Sequence, residues 1–260
     1  MEYAVEMKGI CKSFGGVKAL KNVDLELRQG EIMGIVGDNG AGKSTLMKIL
    51  SGAYQADKGE IYIFGEKVEI TSPLDSFELG INMIYQDLAL FNNLDVAKNI
   101  FAGRELVRGP LRITLDKKSM YRRAEELIKD LRVDIKSPKL NVARMSGGQR
   151  QMIACARGIA FQSKIMILDE PTAALGVTEA NKLLGLIKNL KDLGLSILLI
   201  TQRIPDILAI ADRVFVLKGG VRQDILNVRD TTLDDVVTLI VKGKHGNSAR
   251  VDDIEYRSFG

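Results

Sequence analysis

Histidine is almost absent from this sequence of 260 residues. The single histidine, His245, lies in a polar stretch near the end. Cysteine is also rare. Cys11 and Cys155 stand apart without the spacing of a metal site, and neither has a neighbouring base that would suit a catalytic thiol. Their scarcity excludes a disulfide scaffold and indicates a reducing cytosolic environment.

Long apolar runs are missing as well. No run approaches the roughly 18 residues that a membrane-spanning helix requires, and the first residues, MEYAVEMKGICKSF, lack the apolar segment of a signal peptide. The residues that are present predict a soluble folded protein, since 46% are apolar and 27% are charged. The net charge of +4 is small and favours a mixed solvated surface over a nucleic-acid-binding patch.

The apolar pattern predicts an α/β fold with a mainly parallel core. Short buried strands are expected at 31–36 and 80–87, and again in the segments KIMILDE, LSILLIT and DRVFVLKGG. Alternating residues near the N-terminus, and a hairpin that turns at Gly65–Glu66, predict an antiparallel β region. These two patterns together indicate a parallel core with an antiparallel edge.

Helical patterns separate or interrupt these strands. The chain is expected to be mostly helical between about 90 and 160, with an amphipathic helix at 119–131 capped by Ser119. The segment TEANKLLGLIKNLKDLG predicts a helix that Gly194 terminates. The polar end of the chain, from KGKHGNSARV onward, is expected to be loosely held.

The strongest motif is GDNGAGKST, which matches G-x-x-x-x-G-K-[ST] between a predicted strand and a predicted helix. Its glycines let backbone N–H groups turn toward phosphate oxygens, and the helix N-terminus favours negative charge. Lys43 is therefore predicted to contact the β- and γ-phosphates of a nucleotide, and the Ser44 hydroxyl to ligate Mg²⁺. The flanking strand and helix argue against a glycine-rich turn without function. The predicted nucleotide-binding residues are Gly37, Asn39, Gly40, Ala41, Gly42, Lys43, Ser44 and Thr45.

A second motif, KIMILDEP, delivers Asp169 and Glu170 to the end of an apolar strand. Two adjacent carboxylates there need a nearby cation, which Mg²⁺ would supply. Asp169 is predicted to hold the ion through water, and Glu170 to orient or deprotonate the attacking water. The alternative, two solvated acids after a core strand, loses support because a phosphate loop is present in the same chain.

A third motif, MSGGQRQMIACARGIA at 145–160, places Ser146 and two glycines directly before a helical apolar pattern. It predicts a second anion-binding helix N-terminus, with an ordinary N-capped helix as the alternative. Two phosphate sites in one chain indicate either two ligands or one ligand shared between subunits.

These motifs, in this order, resemble the nucleotide-binding subunit of ABC (ATP-binding cassette) transporters over about residues 3–225. MSGGQ resembles the family signature with Met145 in place of leucine, IYQD resembles the Q-loop with Gln86 as its named residue, and KSFGGVKAL places Phe14 where the family stacks an aromatic ring on adenine. The resemblance implies a P-loop NTPase cassette with a RecA-like, mainly parallel core, an antiparallel β subdomain and a helical subdomain. Residues 1–225 would form this single domain, with the helical subdomain at about 90–160, and 226–260 a C-terminal helix and polar tail.

Within the family, the segment from Ser72 to Gln86 and the phrase NIFAGRE at 99–105 are similar to cassettes of bacterial ribose, galactose, xylose and fructose importers. The resemblance implies an ATPase that uses ATP and Mg²⁺, held by Ser44, Gln86 and Asp169, to drive sugar import. It would lie peripherally on the cytoplasmic face of the inner membrane, against an integral membrane sugar permease. An extracytoplasmic sugar-binding protein would act indirectly, and no nucleic acid would be a partner.

The same resemblance implies a pair of cassettes. One cassette in this chain suggests a homodimer in which the signature of one subunit faces the γ-phosphate held by Lys43 of the other. The signature residues are Ser146, Gly147, Gly148 and Gln149. Leu88, Leu90 and Phe91 are expected to be exposed and to receive a permease helix, with core packing as the alternative for each.

Two positions depart from the family pattern. Gln202 directly follows the segment LLIT, at the position where the family places a histidine that contacts the γ-phosphate, and Gly176 stands where an aspartate is usual. Glutamine can donate and accept hydrogen bonds, but it cannot carry a positive charge as histidine can. GTPases nevertheless use a glutamine to orient the attacking water. We expect hydrolysis to be lowered and not lost, because Glu170, Lys43 and Gln86 are all present. The residues expected to carry it are Lys43, Gln86, Glu170 and Gln202.

Four alternatives stand beside this expectation. The site would bind ATP with barely any turnover beside a competent partner cassette, or Gln202 would be only a solvated residue at a helix start. More broadly, the chain would be a catalytically weak nucleotide-sensing or structural subunit, or a soluble ABC ATPase without a role in transport.

Overall fold

The computed structural model describes residues 2–109, 114–131, 134–161 and 163–244. Their strands form a four-stranded sheet, a six-stranded sheet and a two-stranded hairpin. The strands are β1 (Tyr3–Phe14), β2 (Val17–Arg28), β3 (Ile32–Val36), β4 (Lys58–Ile63), β5 (Glu66–Val68), β6 (Ile81–Ile84), β7 (Val107–Arg108), β8 (Thr114–Leu115), β9 (Ile165–Asp169), β10 (Ser196–Ile200), β11 (Arg213–Lys218) and β12 (Val221–Asn227).

The six-stranded sheet has the order β12-β11-β3-β10-β9-β6 and is parallel except for β12, which pairs antiparallel with β11. Strands β3 and β10 are buried along their whole length, as expected of strands with helices or sheets on both faces. Asp169 at the end of β9 pairs with Ile200 at the end of β10, and Ile35 lies opposite Ile200 in β3. The segments that follow these strands therefore leave the sheet at one edge.

The second sheet is antiparallel, with the order β2-β1-β4-β5. It packs over one face of the parallel sheet, since Met33, Ile35 and Leu198 share an apolar cluster with residues of β1 and β2. On the other face, Ile32, Leu168 and other alternate residues pack among the helices. The alternation of side chains along each strand thus divides the core into two layers.

The helices are α1 (Lys43–Leu50), α2 (Pro73–Glu78), α3 (Val96–Ile100), α4 (Lys117–Asp130), α5 (Gly147–Ala160), α6 (Val177–Asp192), α7 (Ile204–Ile210) and α8 (Leu233–Lys242), with short 3₁₀ turns at Val142–Arg144 and Val228–Asp230. None of these described helices is long and apolar enough to cross a membrane. The polar stretch from His245 onward, which was expected to be loosely held, lies outside the described residues.

The predicted cap of helix α4 is wrong. The helix begins at Lys117, and its N-cap is Asp116, whose carboxylate accepts hydrogen bonds from the backbone N–H of Ser119 at 3.1 Å and from its hydroxyl at 2.8 Å. Ser119 is thus inside the first turn, because an aspartate three residues earlier satisfies the free N–H groups. At the end of α6 the C-cap is Leu193, and Gly194 follows it with φ 92°.

Candidate functional site

The phosphate loop connects β3 to α1 and depends on glycine at its last position. Gly42 is the N-cap of α1 with φ 104°, in the left-handed region that favours glycine. A Cβ atom at this position would also lie 2.6 Å from the carbonyl oxygen of Ala19. Backbone conformation and close approach therefore both require a glycine where the predicted phosphate-binding turn enters the helix.

Lys43 lies inside this loop. Its Nζ donates hydrogen bonds to the carbonyl oxygens of Gly37 at 2.7 Å and Asp38 at 3.0 Å, and the residue is only 8% exposed. Burial lowers the pKa of the Lys43 ammonium, an effect partly offset by the negative charges of Glu170 and other acids. The side chain thus presents a desolvated cation at the mouth of the loop, where a phosphate would be strongly attracted.

A cleft of about 300 Å³ opens above the loop and brings most of the predicted residues together. It is lined by residues that are far apart in sequence, namely Ala19, Asn39, Gly40, Ala41, Gly42, Lys43, Ser44, Thr45, Gln86, Asp169, Glu170, Ile200 and Gln202. Sequence reasoning missed Ala19 and Ile200, because neither has a reactive group. Gly37 instead lines an adjacent cavity of about 240 Å³ that also reaches Asn39, Gln202 and Ile240 of α8.

The two acidic residues Asp169 and Glu170, where β9 ends, both have raised pKa values. Burial raises the pKa of the Asp169 carboxyl, while Lys48 and Lys43 lower it. Burial also raises the pKa of Glu170, with a further increase from Asp169 and decreases from the Gln202 backbone N–H and Lys43. Both carboxylates therefore become easier to ionise when a cation enters the cleft.

The oxygen atoms in the cleft suit a magnesium ion. The Ser44 hydroxyl, the Gln86 amide and the Asp169 carboxylate are hard oxygen ligands of the kind that Mg²⁺ prefers. Among the described residues, no group of three or more His, Cys, Asp or Glu side chains lies together as a metal site. An ion held here would therefore complete its coordination with phosphate oxygens and water.

Glu170 has an unusual backbone conformation. Its φ of 51° lies in the left-handed region, which costs a residue other than glycine about 1 kcal/mol or more. Two backbone hydrogen bonds hold it there, since its N–H donates to the carbonyl of Ile200 at 2.9 Å and its carbonyl accepts from Ala173 at 3.2 Å. Strain of this kind persists only where the surrounding structure enforces it.

Gln202 reaches back to the phosphate loop. Its side-chain Nε2 donates a hydrogen bond to Oδ1 of Asn39 at 3.0 Å, and its backbone N–H donates to Oε2 of Glu170 at 3.4 Å. Helix α7 begins at Ile204 with Arg203 as its N-cap, so Gln202 belongs to the connection that precedes the helix. The residue therefore links the end of β10 with both the loop and the acidic pair.

Gln86 follows β6 and lines the same cleft, but the apolar residues after it are not all exposed. Leu88 and Leu90 are half-buried and pack against the apolar core, so their predicted exposure is wrong, whereas Phe91 is 53% exposed. The buried side chain of Asn99 explains the difference. It accepts a hydrogen bond from the Phe91 N–H at 2.8 Å and donates to its carbonyl at 3.0 Å, which holds this segment against α3.

The signature motif caps helix α5 away from the residues that line the cleft. Ser146 is the N-cap, its hydroxyl accepts from the Gln149 N–H at 3.3 Å, and the Gln149 side chain accepts from the Ser146 N–H at 3.1 Å. The Gln149 Nε2 donates to the carbonyl of Asp134 at 2.8 Å. Within the described part of the chain, Ser146, Gly147, Gly148 and Gln149 are absent from the lining of the cleft.

Phe14 also lies outside the lining of the cleft, at the end of β1, and is 43% exposed. Its ring meets Tyr54 edge-to-face, with 5.2 Å between the ring centroids. The Lys48 ammonium lies 5.3 Å from the centroid of the Tyr54 ring. Tyr54 was not predicted, and its only signal in the sequence is an aromatic residue soon after the phosphate-loop helix.

Gly176 is the N-cap of α6 but has no side chain to accept a hydrogen bond. Its φ of −66° is ordinary for any residue, and a Cβ atom there would meet nothing within 4 Å. We therefore expect Gly176→Asp to be more stable than Gly176→Ala by about 1 kcal/mol, because aspartate caps a helix and alanine does not. Thermal unfolding of both variants would measure a difference of about 2–4 °C in Tm. Equal midpoints would contradict this prediction.

The sequence matches a known family. Residues 20–173 match the family model described as ABC transporter. The chain is 43% identical over 249 residues to a xylose/arabinose import ATP-binding protein of Sulfolobus acidocaldarius, covering 94% of this chain and 97% of the relative. It is 40% identical to a fructose import ATP-binding protein of Rhizobium meliloti, covering 91% and 93%. It is 43% identical to a ribose import ATP-binding protein of Clostridium tetani, covering 92% of this chain but only 47% of that relative, so it spans about half of that protein's length.

Solved structures with a similar fold are also cassettes. A nucleotide-free ATP-binding cassette from an ABC transporter superposes with a TM-score of 0.78 at 24% identity, covering 87% of this chain and 92% of the other. A dimeric bacterial ABC transporter cassette superposes with a TM-score of 0.71 at 28% identity, covering 87% and 100%. The predicted α/β cassette fold, with its mainly parallel core and antiparallel sheet, is confirmed.

Proposed function

Because this chain belongs to the ABC transporter family, we propose that it is the ATP-hydrolysing subunit of a monosaccharide importer. The chain is an ATPase of the ABC type, and its nucleotide is ATP. One observation carries the proposal: Lys43, Ser44, Asp169, Glu170 and Gln202 meet in one cleft at the carboxyl edge of the parallel sheet. Ligands bind at this edge in open α/β sheets. The sugar class is supported by relatives described as xylose/arabinose, fructose and ribose import proteins.

In the proposed mechanism the loop binds the phosphates. Backbone N–H groups from Gly40 to Thr45 and the N-terminus of α1 would surround the β-phosphate, while Lys43 would leave its carbonyl partners for the β- and γ-phosphate oxygens. Mg²⁺, held by Ser44, Gln86 and Asp169, would neutralise charge on the phosphates. Phe14, beside Tyr54, is proposed to stack on the adenine.

Glu170 is proposed as the general base that accepts a proton from the attacking water. Its pKa is raised by burial, which brings the carboxylate closer to the basicity that proton transfer near neutral pH requires. Its backbone hydrogen bonds to Ile200 and Ala173 and the bond from the Gln202 N–H hold it in position. Asn39 of the loop and Gln202 are joined side chain to side chain and line the same cleft as Glu170, where they would contact the γ-phosphate or its water.

Replacement of Gln202 by histidine tests how much slower ATP hydrolysis is with glutamine at this position than with the family's histidine. We expect Gln202→His to raise the turnover of the permease complex by about tenfold, less than the roughly 10²- to 10⁴-fold that general acid–base catalysis contributes, because Glu170 is retained. Steady-state ATP hydrolysis in the assembled complex measures this effect. A rate no higher than that of the parent chain would contradict it.

The matched control at this position is Gln202→Ala, which removes the hydrogen bond to Asn39. We expect its turnover to fall below that of the parent. A turnover equal to the parent would instead support the alternative in which Gln202 is a solvated residue without a catalytic contact.

The proposed assembly contains two cassettes. We propose a homodimer in which Ser146, Gly147, Gly148 and Gln149 of one subunit face the γ-phosphate on the phosphate loop of the other. Two observations support this arrangement. The signature residues do not line the cleft of their own subunit, and a similar cassette has a dimeric structure. Residues 1–225 are proposed to be one ATPase domain, with a helical subdomain at about 90–160 and with 226–260 as a helix and tail.

The proposed location is the cytoplasmic face of the inner membrane, bound to an integral membrane sugar permease, with an extracytoplasmic sugar-binding protein acting through that permease. The exposed ring of Phe91, next to the Gln86 segment, offers an apolar contact for the permease. ATP hydrolysis by the chain and its permease in lipid vesicles should rise when a sugar-loaded binding protein is added. Hydrolysis that never depends on sugar or permease would favour a soluble ABC ATPase, and ATP binding without hydrolysis in the complex would favour a sensing subunit.

A further inference from the structure

Two buried polar residues lie directly behind the acidic pair and Gln202. Thr172 and Asp206 are 1% and 7% exposed, and the Thr172 hydroxyl donates a hydrogen bond of 2.7 Å to Oδ2 of Asp206. The Nε atom of Arg203 lies 3.4 Å from the same carboxylate oxygen. A buried carboxylate is costly unless it is paired and hydrogen-bonded, so this arrangement requires an explanation.

The hydrogen bond joins the two connections that carry the reactive side chains. Thr172 lies in a turn, closed by the bond from Ala173 N–H to the carbonyl of Glu170. Asp206 lies in the first turn of α7, which begins soon after Gln202. Strands β9 and β10 are neighbours, and the Thr172–Asp206 bond continues their connection beyond the edge of the sheet.

The strain at Glu170 shows what this bond can do. A left-handed φ of 51° relaxes in a residue other than glycine unless neighbouring contacts prevent it. On one side the Glu170 N–H is held by Ile200, and on the other side the turn is held through Thr172. Without the Thr172–Asp206 bond, the two backbone hydrogen bonds of Glu170 would oppose this strain with less support. Its backbone would then shift toward an unstrained conformation and carry the carboxylate away from the cleft.

We propose that Asp206, acting through Thr172, is a positioning residue that holds Glu170 in its strained conformation for catalysis. This inference rests on the proposed hydrolytic function. In the alternative, Asp206 has a purely structural role. It would stabilise the start of α7 and pair with Arg203, without any effect on the reaction. The two differ in whether catalysis changes separately from nucleotide binding and from stability.

Thr172→Val is the decisive variant, because valine keeps the shape of threonine and removes the hydroxyl. In ATPase assays of the full chain with its permease, we expect kcat to fall by about tenfold, as small displacements of catalytic groups are costly. We expect KM for ATP to stay within about twofold of the parent, because the phosphate loop is untouched. Thr172→Ser keeps the hydroxyl and should recover the parent kcat.

The control is Ser163→Ala, which removes another buried hydroxyl bond, to the carbonyl of Gly158, at the far end of β9. Its kcat should equal that of the parent although its Tm falls. If Thr172→Val does not fold, as shown by loss of fluorescent ATP-analogue binding, Asp206→Ala replaces it, since alanine removes the acceptor of the Thr172 hydroxyl, and it should lower kcat in the same direction. Parent-like kcat in the folded variant would overturn the proposal.

A double variant separates this inference from the proposed function. If Thr172 acts through Glu170, adding Thr172→Val to Glu170→Gln should not lower the residual rate further, whereas independent effects would multiply. A multiplied loss would overturn the positioning role. Failure of Glu170→Gln alone to lower hydrolysis would instead overturn the role of Glu170 as base, which is part of the proposed function.

Discussion

Replacement of Lys43 by alanine should weaken ATP binding by about 100-fold, the equivalent of losing one or two strong charge-assisted hydrogen bonds. The reason is local, because the Lys43 ammonium is buried in the loop and bonded only to the carbonyls of Gly37 and Asp38, which a bound phosphate would replace. Titration with a fluorescent ATP analogue measures the change directly. Unchanged affinity in Lys43→Ala would refute the assignment of the phosphate loop.

The fold should survive this substitution. Burial lowers the pKa of the Lys43 ammonium, so its removal also removes a desolvation cost, and the hydrogen-bond partners left behind are backbone carbonyls and not carboxylates. A matched control is Lys182→Ala, which removes a lysine whose side chain is 57% exposed and whose partner Asp134 is also exposed. Its affinity for ATP should equal that of the parent, because exposed ion pairs contribute little.

Replacement of Glu170 by glutamine should reduce ATP hydrolysis by about 1,000-fold while leaving ATP binding intact, since general-base catalysis typically contributes factors of this size. Glutamine keeps the shape of the side chain and can still accept the hydrogen bond from the Gln202 N–H. Single-turnover hydrolysis and nucleotide titration separate the two effects. Hydrolysis at the parent rate would show that another group accepts the proton.

The same substitution should raise stability at neutral pH. The pKa of Glu170 is raised in the folded chain by burial, so the ionised carboxylate destabilises the fold at a pH above that folded pKa. This cost disappears as the pH falls through the folded pKa, because the carboxyl group is then protonated. The Tm of Glu170→Gln should therefore exceed that of the parent more at pH 7 than in acid.

Glu125→Gln serves as the control for both readouts. Glu125 lies on α4, is exposed and belongs to no part of the cleft. Neither its rate of hydrolysis nor its stability should change measurably, because surface substitutions away from special features have small effects. A stability gain of equal size in this variant would mean that the gain in Glu170→Gln does not come from burial of the carboxylate.

Several errors of sequence reasoning have a common physical origin. Ser119 had the right chemistry for a cap, but Asp116 accepts both of its hydrogen bonds. Leu88 and Leu90 were expected on the surface, but the buried side chain of Asn99, the first residue of NIFAGRE, holds the segment inward. In each case a nearby competing contact decided the outcome, and the local pattern contained no signal for that contact.

The sequence by itself determined the chemical groups of the site and the edge at which they meet. Each group lies at or after the carboxyl end of a strand of the six-stranded sheet, and parallel strands place their carboxyl ends at one edge of a sheet. Lys43, Asp169 and Glu170 were predicted from their motifs, whereas Gln86 and the γ-phosphate contact of Gln202 were predicted from the family resemblance. All five line the cleft.

Only the tertiary structure decided which of these groups touch. The bonds from Gln202 to Asn39 and from Thr172 to Asp206, and the left-handed conformation of Glu170, depend on β10 lying between β3 and β9. That strand order arises from packing between segments distant in sequence, and local propensity and periodicity contain no information about it. The identity of the reactive residues is thus a local property of this chain, whereas their contacts and strain are properties of the assembled core.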